Sequence, residues 1–367
     1  MATDPPVRVS FFAATVPGLG PLLRDEVAAH PDLEPGDEGG FDGRADLVFF
    51  RVRRGARLRL DGLRLAEDVF VTISGARGGS ADRLAASLVT TVGLERALSV
   101  RAAYVRHLSP AMTFRVITRV VDESRFKRTE LRGAIERAIG ASRPRWRIAD
   151  PADLEVWAVE HRRARFVSGL RLSDQRLRRH GGGRASERHG ALRPVAAAAM
   201  VRLAGAPPGR LLDPCCGSGT IVREALAAGW DAQGSDLDQE AVDVARANVA
   251  GAVIRRADAL SLPHPDSAFD AVVTNLPFGR QFRPDAARSR GAPAAPGHAG
   301  RRSAASGHAA WVRGALREAA RVTRPGGRVV VLVPPPVPGR ADGLTLSASH
   351  PVELRGVPAR IWVFDRS

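Results

Sequence analysis

The stretch Leu211-Leu-Asp-Pro-Cys-Cys-Gly-Ser-Gly-Thr220 decides how this chain is read. Two leucines run into an acid and a proline, small residues follow, and Thr220–Ala228 then carries the apolar spacing of a helix. The pattern is a strand, a tight turn and a helix start. Two glycines let the backbone turn sharply and let a ligand approach without meeting a Cβ. The first N–H groups of the helix then face that ligand. A dinucleotide-binding turn wants Gly-x-Gly-x-x-Gly here. In this chain Asp213 stands four residues before Gly217, and Gly219 follows. A carboxylate at that point suits a ligand with a cationic amino acid end, not a pyrophosphate.

Outward from this turn, strand and helix alternate. Strands are expected at Arg210–Pro214, Ala232–Asp236, Val253–Asp258, Phe269–Asn275 and Arg328–Val333, and helices at Thr220–Ala228, Gln239–Val249 and Ala309–Thr323. Such alternation predicts an α/β domain with a parallel sheet covered on both faces. Two further strands, Val352–Arg355 and Ala359–Phe364, are expected to pair antiparallel at the sheet end. Residues 280–307 are rich in Arg, Ala, Gly and Pro without apolar periodicity, and read as a flexible insertion.

Ligands of open α/β sheets sit at the carboxyl ends of the strands. Three acids occupy three consecutive strand ends. Asp213 closes the first, Asp236 the second, followed by Leu237, and Asp258 the third, followed by Ala259. S-adenosylmethionine fits this set. Asp213, Gly217 and Gly219 would cradle its methionine end, with Pro214, Cys215, Ser218 and Thr220 as the small residues of the same loop. Asp236 would hold the ribose and Asp258 the adenine. A helix N-cap is the competing role for each acid taken singly.

The fourth strand ends in Asn275-Leu-Pro-Phe-Gly279. An exocyclic amine on a base is a poor nucleophile, because its lone pair is delocalised into the ring. It needs acceptors that hold its hydrogens and draw the nitrogen toward sp³ geometry. The Asn275 side-chain oxygen and the backbone of Leu276 and Pro277 supply them, and Phe278 offers a face on which an extruded base can stack. Asn275, Leu276, Pro277 and Phe278 are therefore the candidate catalytic residues, with Asn275 also bordering the cofactor. An ordinary turn with a packed Phe278 is the competing reading. Cys215 and Cys216 raise a second route, thiolate attack on a pyrimidine ring, but both lie in the cofactor loop and not after the fourth strand.

Asp213-Pro-Cys-Cys-Gly-Ser-Gly-Thr220 and Asn275-Leu-Pro-Phe-Gly279 resemble class I methyltransferase motifs. They are most similar to those of the THUMP-containing RNA guanine-N2 methyltransferases. Ala191-Leu-Arg-Pro194, before an Ala-rich helix, resembles the segment preceding that catalytic domain. Asp153-Leu-Glu-Val156 with Gly169-Leu-Arg-Leu172 resembles the end of a THUMP domain, and Phe12-Ala-Ala-Thr-Val-Pro-Gly-Leu19 the family's ferredoxin-like start. The resemblance implies a class I, Rossmann-like sheet of seven strands preceded by α+β ferredoxin-like and THUMP domains. It implies methyl transfer from S-adenosylmethionine to a guanine N2 amine in RNA, tRNA above all, with the THUMP module gripping the acceptor end. Position 276 is Leu where many amine methyltransferases have Pro, and the 280–307 insertion has no clear counterpart in the family. A 23S rRNA guanine-N2 enzyme, a DNA adenine-N6 enzyme and a non-catalytic RNA-binding protein are the rival readings.

Upstream of this domain the pattern is α+β. Strands are expected at Val7–Ala14, Phe41–Arg53, Val69–Ser74, Thr113–Val121, Leu154–Glu160 and Ala164–Leu170. The boundaries expected are 1–64 for the ferredoxin-like unit, 65–175 for the THUMP domain, 176–208 for a basic linker and leading helix, and 209–367 for the methyltransferase domain. Of 367 residues 55 are basic and 39 acidic, a formal charge of +16, and Lys127 is the only lysine. A GC-rich genome accounts for arginine in place of lysine but not for the excess of base over acid, which points to a polyanionic partner. Arg143, Arg145, Arg147, Arg162, Arg163 and Arg165 concentrate that excess in a candidate phosphate-contacting face. Adjacent cysteines make neither a disulfide framework nor a zinc site, so no metal is expected. Without an apolar run long enough for a bilayer, or a secretory leader, the expected protein is a cytoplasmic monomer.

Overall fold

The computed structural model describes residues 9–40, 46–104, 111–174, 180, 191–278, 298–335, 340–341, 343–354 and 356–367. The chain divides into two compact units, Met1–Gly181 and Gly182–Ser367.

The first unit is built from β1 (Ser10–Thr15), α1 (Gly20–Ala29), β2 (Leu33–Gly39), β3 (Asp46–Val52), β4 (Asp68–Arg77), α2 (Ala81–Leu88), α3 (Thr91–Ala102), β5 (Thr113–Arg119), α4 (Arg128–Ser142), β6 (Arg147–Ile148), β7 (Leu154–Arg162) and β8 (Arg165–Arg171). One sheet runs through it in the order β2-β3-β1-β4-β8-β7-β5-β6. Strand β5 lies between β6 and β7 and pairs parallel with both, and the remaining pairs are antiparallel. Phe12, Phe70 and Trp157 meet on one face, with Phe12 and Phe70 stacked at 4.7 Å. Residues 7–8 of the first expected strand and 41–45 of the second lie outside the described residues. Strand β2 was not expected. It holds Pro35 and Gly36, and β3 alone pairs with it as a bulged edge.

The second unit contains α5 (Pro194–Leu203), β9 (Arg210–Asp213), α6 (Thr220–Ala228), β10 (Asp231–Asp236), α7 (Gln239–Asn248), β11 (Val253–Arg256), β12 (Phe269–Asn275), α8 (His298–Val322), β13 (Thr323–Val333), β14 (Arg340–Ala341), β15 (Leu344–Leu354) and β16 (Val357–Arg366). Its sheet order is β11-β10-β9-β12-β13-β16-β15-β14, parallel from β11 to β13 and antiparallel beyond. Seven strands were expected; an eighth, the two-residue β14, is added at the edge. The chain leaves β9 toward β10 on one side and later resumes at β12 on the other. That reversal between β9 and β12 is where open α/β sheets bind ligands.

Alternate residues of the central strands face opposite ways. Leu212, Val272, Val329, Val331 and Val333 pack against Val312, Leu316 and Ala319 of α8. Leu211, Ala271, Val273, Val330 and Leu332 are equally buried on the other face. Helix α8 starts at His298, well before the expected Ala309, so the end of the 280–307 insertion is helical; residues 279–297 lie outside the described residues. Most of the basic linker, 175–179 and 181–190, lies outside them as well.

Candidate active site

The turn after β9 has the conformation its glycines allow. Gly217 and Gly219 have φ of +51° and +81°, and Gly219 is the residue preceding α6, in a left-handed conformation without a side-chain cap. A Cβ on Gly219 would come within 2.8 Å of Val249, whereas one on Gly217 would meet nothing within 4 Å. One glycine therefore admits the neighbouring α7 region, and the other borders open space above the turn. Ser218 and Thr220 are buried beside them.

Asp213 is almost fully buried, at 1% exposure, and its Oδ1 accepts a hydrogen bond from the Cys215 N–H at 3.2 Å. Burial raises its carboxyl to about 7, against the lowering effect of that hydrogen bond, and the nearby Asp236 charge adds to the rise. Asp236 joins the loop to the second strand end. Its Oδ2 accepts from the Gly217 N–H at 2.9 Å and its Oδ1 from the Asp238 N–H at 3.0 Å. Leu237 beside it is 43% exposed, a large apolar side chain next to a ring of acids. Asp258 is half-buried and its Oδ1 accepts from the Leu260 N–H at 2.9 Å, holding the turn whose next residue, Ala259, is buried. Asp213, Asp236, Asp258 and Asn275 thus lie at the carboxyl ends of four neighbouring strands, as expected.

Burial, and then the Asp213 and Asp236 charges, push the thiols of Cys215 and Cys216 far above their usual range. Both stay protonated, so neither has the thiolate that attack on a pyrimidine would need.

At the end of β12 the Leu276 N–H donates to the Leu332 carbonyl at 3.2 Å, and the Leu276 side chain is sunk in the core at 1% exposure. The Leu276 side chain anchors the turn and leaves only its backbone toward the strand end. Phe278 is half-buried against the α8 core. Asn275 Oδ1 is buried and, among the described residues, receives no hydrogen bond. An acceptor left in that state costs about 1–3 kcal/mol, and a donor supplied by a ligand recovers it.

One residue of this region was missed from the sequence. His308 on α8 places its Nε2 3.0 Å from the Pro277 carbonyl oxygen. A carbonyl can only accept, so Nε2 carries the hydrogen and donates. The pair is 31 residues apart across the insertion, and no spacing rule announces it.

Comparison with known proteins follows the same lines. Residues 182–290 match the family model described as RMKL-like, methyltransferase domain. Over 96% of its length the chain is 33% identical to a tRNA (guanine(6)-N2)-methyltransferase of Thermus thermophilus, covering 98% of that protein. The crystal structure of TrmN from Thermus thermophilus superposes with a TM-score of 0.72 at 26% identity, covering 98% of this chain and all of that one. A protein from Listeria monocytogenes titled a predicted N6-adenine-specific DNA methylase superposes with a TM-score of 0.61 at 16% identity over 97% of this chain and 95% of its own, a likeness of fold alone.

Proposed function

The chain belongs to the tRNA guanine-N2 methyltransferase family, and we propose that it transfers a methyl group from S-adenosylmethionine to the exocyclic N2 amine of a guanine in tRNA. Full-length likeness to a position-6 enzyme favours guanine 6 as the target. The observation that carries the reading is the buried Asn275 Oδ1 at the fourth strand end, which receives no hydrogen bond among the described residues and stands beside a buried acid suited to a cation.

The residues fit the cofactor. Asp213 and the Gly217–Gly219 turn would receive its methionine end, Asp236 the ribose hydroxyls and Asp258 the adenine, with Pro214, Cys215, Ser218, Thr220, Leu237 and Ala259 lining the path. When bound, S-adenosylmethionine supplies a methyl group made electrophilic by its sulfonium. Asn275 Oδ1 and the Leu276–Pro277 backbone would hold the amine hydrogens and turn the nitrogen lone pair toward that methyl. Once the amine had taken the methyl group, it would be acidic and would pass its proton to water or to a carbonyl of this turn. No general base is required. Phe278 would stack on the extruded guanine.

The same reading divides the first unit into a ferredoxin-like segment, 1–64, and an RNA-gripping THUMP segment, 65–175, sharing one sheet. It describes a monomer working in the cytoplasm. No described helix is long and apolar enough to cross a membrane.

Incubating the purified protein with methyl-labelled cofactor and tRNA, 23S rRNA or duplex DNA, followed by nucleoside mass spectrometry, tests the assignment. N2-methylguanosine in tRNA is the expected product. Methyladenine in DNA, labelled rRNA only, or no product would each overturn it.

Two side chains at the turn have separable expected effects. Phe278→Ala should raise the KM for tRNA about 5- to 150-fold, the equivalent of the 1–3 kcal/mol carried by one base–aromatic stack, with cofactor affinity unchanged. His308 would act as a positioning residue by fixing the Pro277 peptide plane. His308→Ala should raise the tRNA KM severalfold, and His308→Gln, which still presents an N–H donor, should restore most of it. Equal values for wild type and both variants would dismiss the role.

A further inference from the structure

The arginine excess of the first unit is not evenly spread. Strands β5 and β7 run parallel, so the ends at which they finish lie together, opposite the end where β6 pairs with Thr113 and Phe114. Arg145 and Arg147 sit at that starting end. Arg162, Arg163 and Arg165 sit at the finishing end, on the tight turn between β7 and β8. The structure thus separates two groups that the sequence presents as one basic region.

At the finishing end the arginines face one another. Arg165 is directly opposite Arg77 of β4 on one side and Arg162 of β7 on the other. Directly opposed residues share a face of the sheet, and like charges in that position are destabilising. Arg77, Arg162, Arg163 and Arg165 are all exposed, and Arg125 and Lys127 are exposed on the loop between β5 and α4. Among the described residues no carboxylate comes within ion-pair distance of Arg77, Arg163 or Arg165. Arg162 is engaged differently, its guanidinium donating to the Glu38 carbonyl at 2.6 Å.

The loops that carry these charges are tied together from beneath. Glu160, at 4% exposure, accepts from the Ala164 N–H at 2.8 Å through one oxygen, and from the Val121 and Asp122 N–H groups at 2.7 and 3.3 Å through the other. The Gly78 N–H donates to the Ala164 carbonyl at 2.8 Å. Three separate connections are thereby held in one arrangement, and the Glu160 oxygens are turned to backbone N–H groups. A second acid, Asp122, lies near Arg163 and Arg125, whose charges help to lower its carboxyl after its hydrogen bonds with Ser124, without coming within ion-pair distance of either. The local field reaches His161, which burial and then the Arg162 and Arg165 charges hold down to about 4.

A fold that holds Arg165 opposite both Arg77 and Arg162 on tied loops, with the nearby acid Asp122 set against more basic side chains than it can match, is arranged for an external polyanion. We propose that this end of the first sheet, with Arg77, Arg125, Arg163 and Arg165 as its contacts, is a phosphodiester-binding face that seats the RNA backbone. The proposal rests on the reading of the chain as a tRNA methyltransferase, and it says where, within the first unit, the phosphates are held.

Equilibrium binding of tRNA across a salt series tests it, comparing wild type with Arg163→Gln/Arg165→Gln and with Arg145→Gln/Arg147→Gln, which removes the same charge from the opposite sheet end. For every phosphate that an arginine no longer neutralises, the slope of log affinity against log salt falls by about 1. The first variant should therefore show a slope shallower by about 2 and bind tRNA more weakly. It should keep its cofactor affinity and melt no lower than wild type, since opposed charges have been removed. The control variant should keep the wild-type slope. Equal reductions in the two variants, or an unchanged slope in the first, would overturn the face. Either result, obtained while the wild type still methylates tRNA, leaves the assigned activity standing; a wild type that neither binds nor methylates tRNA fails the activity itself.

Discussion

Asn275→Ala is expected to lower the rate of methyl transfer by about 100- to 1000-fold while leaving both ligands bound. That is the range seen when one preorganised polar group aimed at the reacting atoms is deleted. Cofactor affinity should stay within about twofold of wild type, since the acids and the glycine turn are untouched. The folding behaviour separates this from a structural role. An Oδ1 buried with no donor among the described residues costs the ligand-free protein about 1–3 kcal/mol, so alanine should leave the melting temperature unchanged or raise it. Single-turnover kinetics with thermal melting of the same preparation give both readings. A wild-type rate, or a slow variant that also melts several degrees lower, would remove Asn275 from the catalytic centre.

Asp213 carries the second large effect, and it is a function of pH. Burial raises its carboxyl from 3.8 to about 7 in the folded, ligand-free protein. Between those values the folded state binds a proton that the unfolded state has released. Its contribution to stability is therefore full below about pH 4 and is lost as the pH rises through 7. Asp213→Asn should raise the melting temperature at pH 8 by several degrees and leave it nearly unchanged at pH 4. The same substitution should weaken cofactor binding by about 10- to 150-fold, the worth of one hydrogen bond to a charged group. In the wild type a cationic ligand would draw the carboxyl into its charged form, so binding at pH 7 should release about half a proton. Calorimetry in buffers of different ionisation enthalpy measures that release. Binding that is independent of pH from 6 to 8 would show that Asp213 does not meet the cation.

The methyltransferase half was legible in the sequence because its periodicities and its chemistry coincide. Phe269–Asn275 and Thr220–Ala228 match the observed strand and helix end for end, since each is bounded by residues that stop it: Asn275 by the following Pro277, and α6 by Gly219 and Gly229. Acids at strand ends stood out for the same reason. Other features depend on partners distant in sequence. The start of α8 at His298 was hidden because the sequence before Ala309 carries no apolar periodicity. Strand β15 begins at Leu344, eight residues before the expected Val352, because pairing with β16 extends a segment holding His350 and Pro351 that looks irregular in isolation. The His308 contact with Pro277 spans the insertion and exists only once α8 lies along the sheet. The opposed arginines at 77 and 165 are likewise visible only through strand register.

The unbroken sheet of the first unit has a consequence for anyone wishing to exchange recognition halves between enzymes of this kind. Strand β1 pairs with β4 across the boundary that the sequence suggests at residue 64, setting Phe11 against Val71 and Phe12 against Phe70. A chimera joined there would leave the β4 edge bare along an apolar stretch, an open template for the next molecule to add to and hence for aggregation. The serviceable splice point lies near Gly181, where one compact unit gives way to the other. What reads as two modules in the sequence must be transplanted as one.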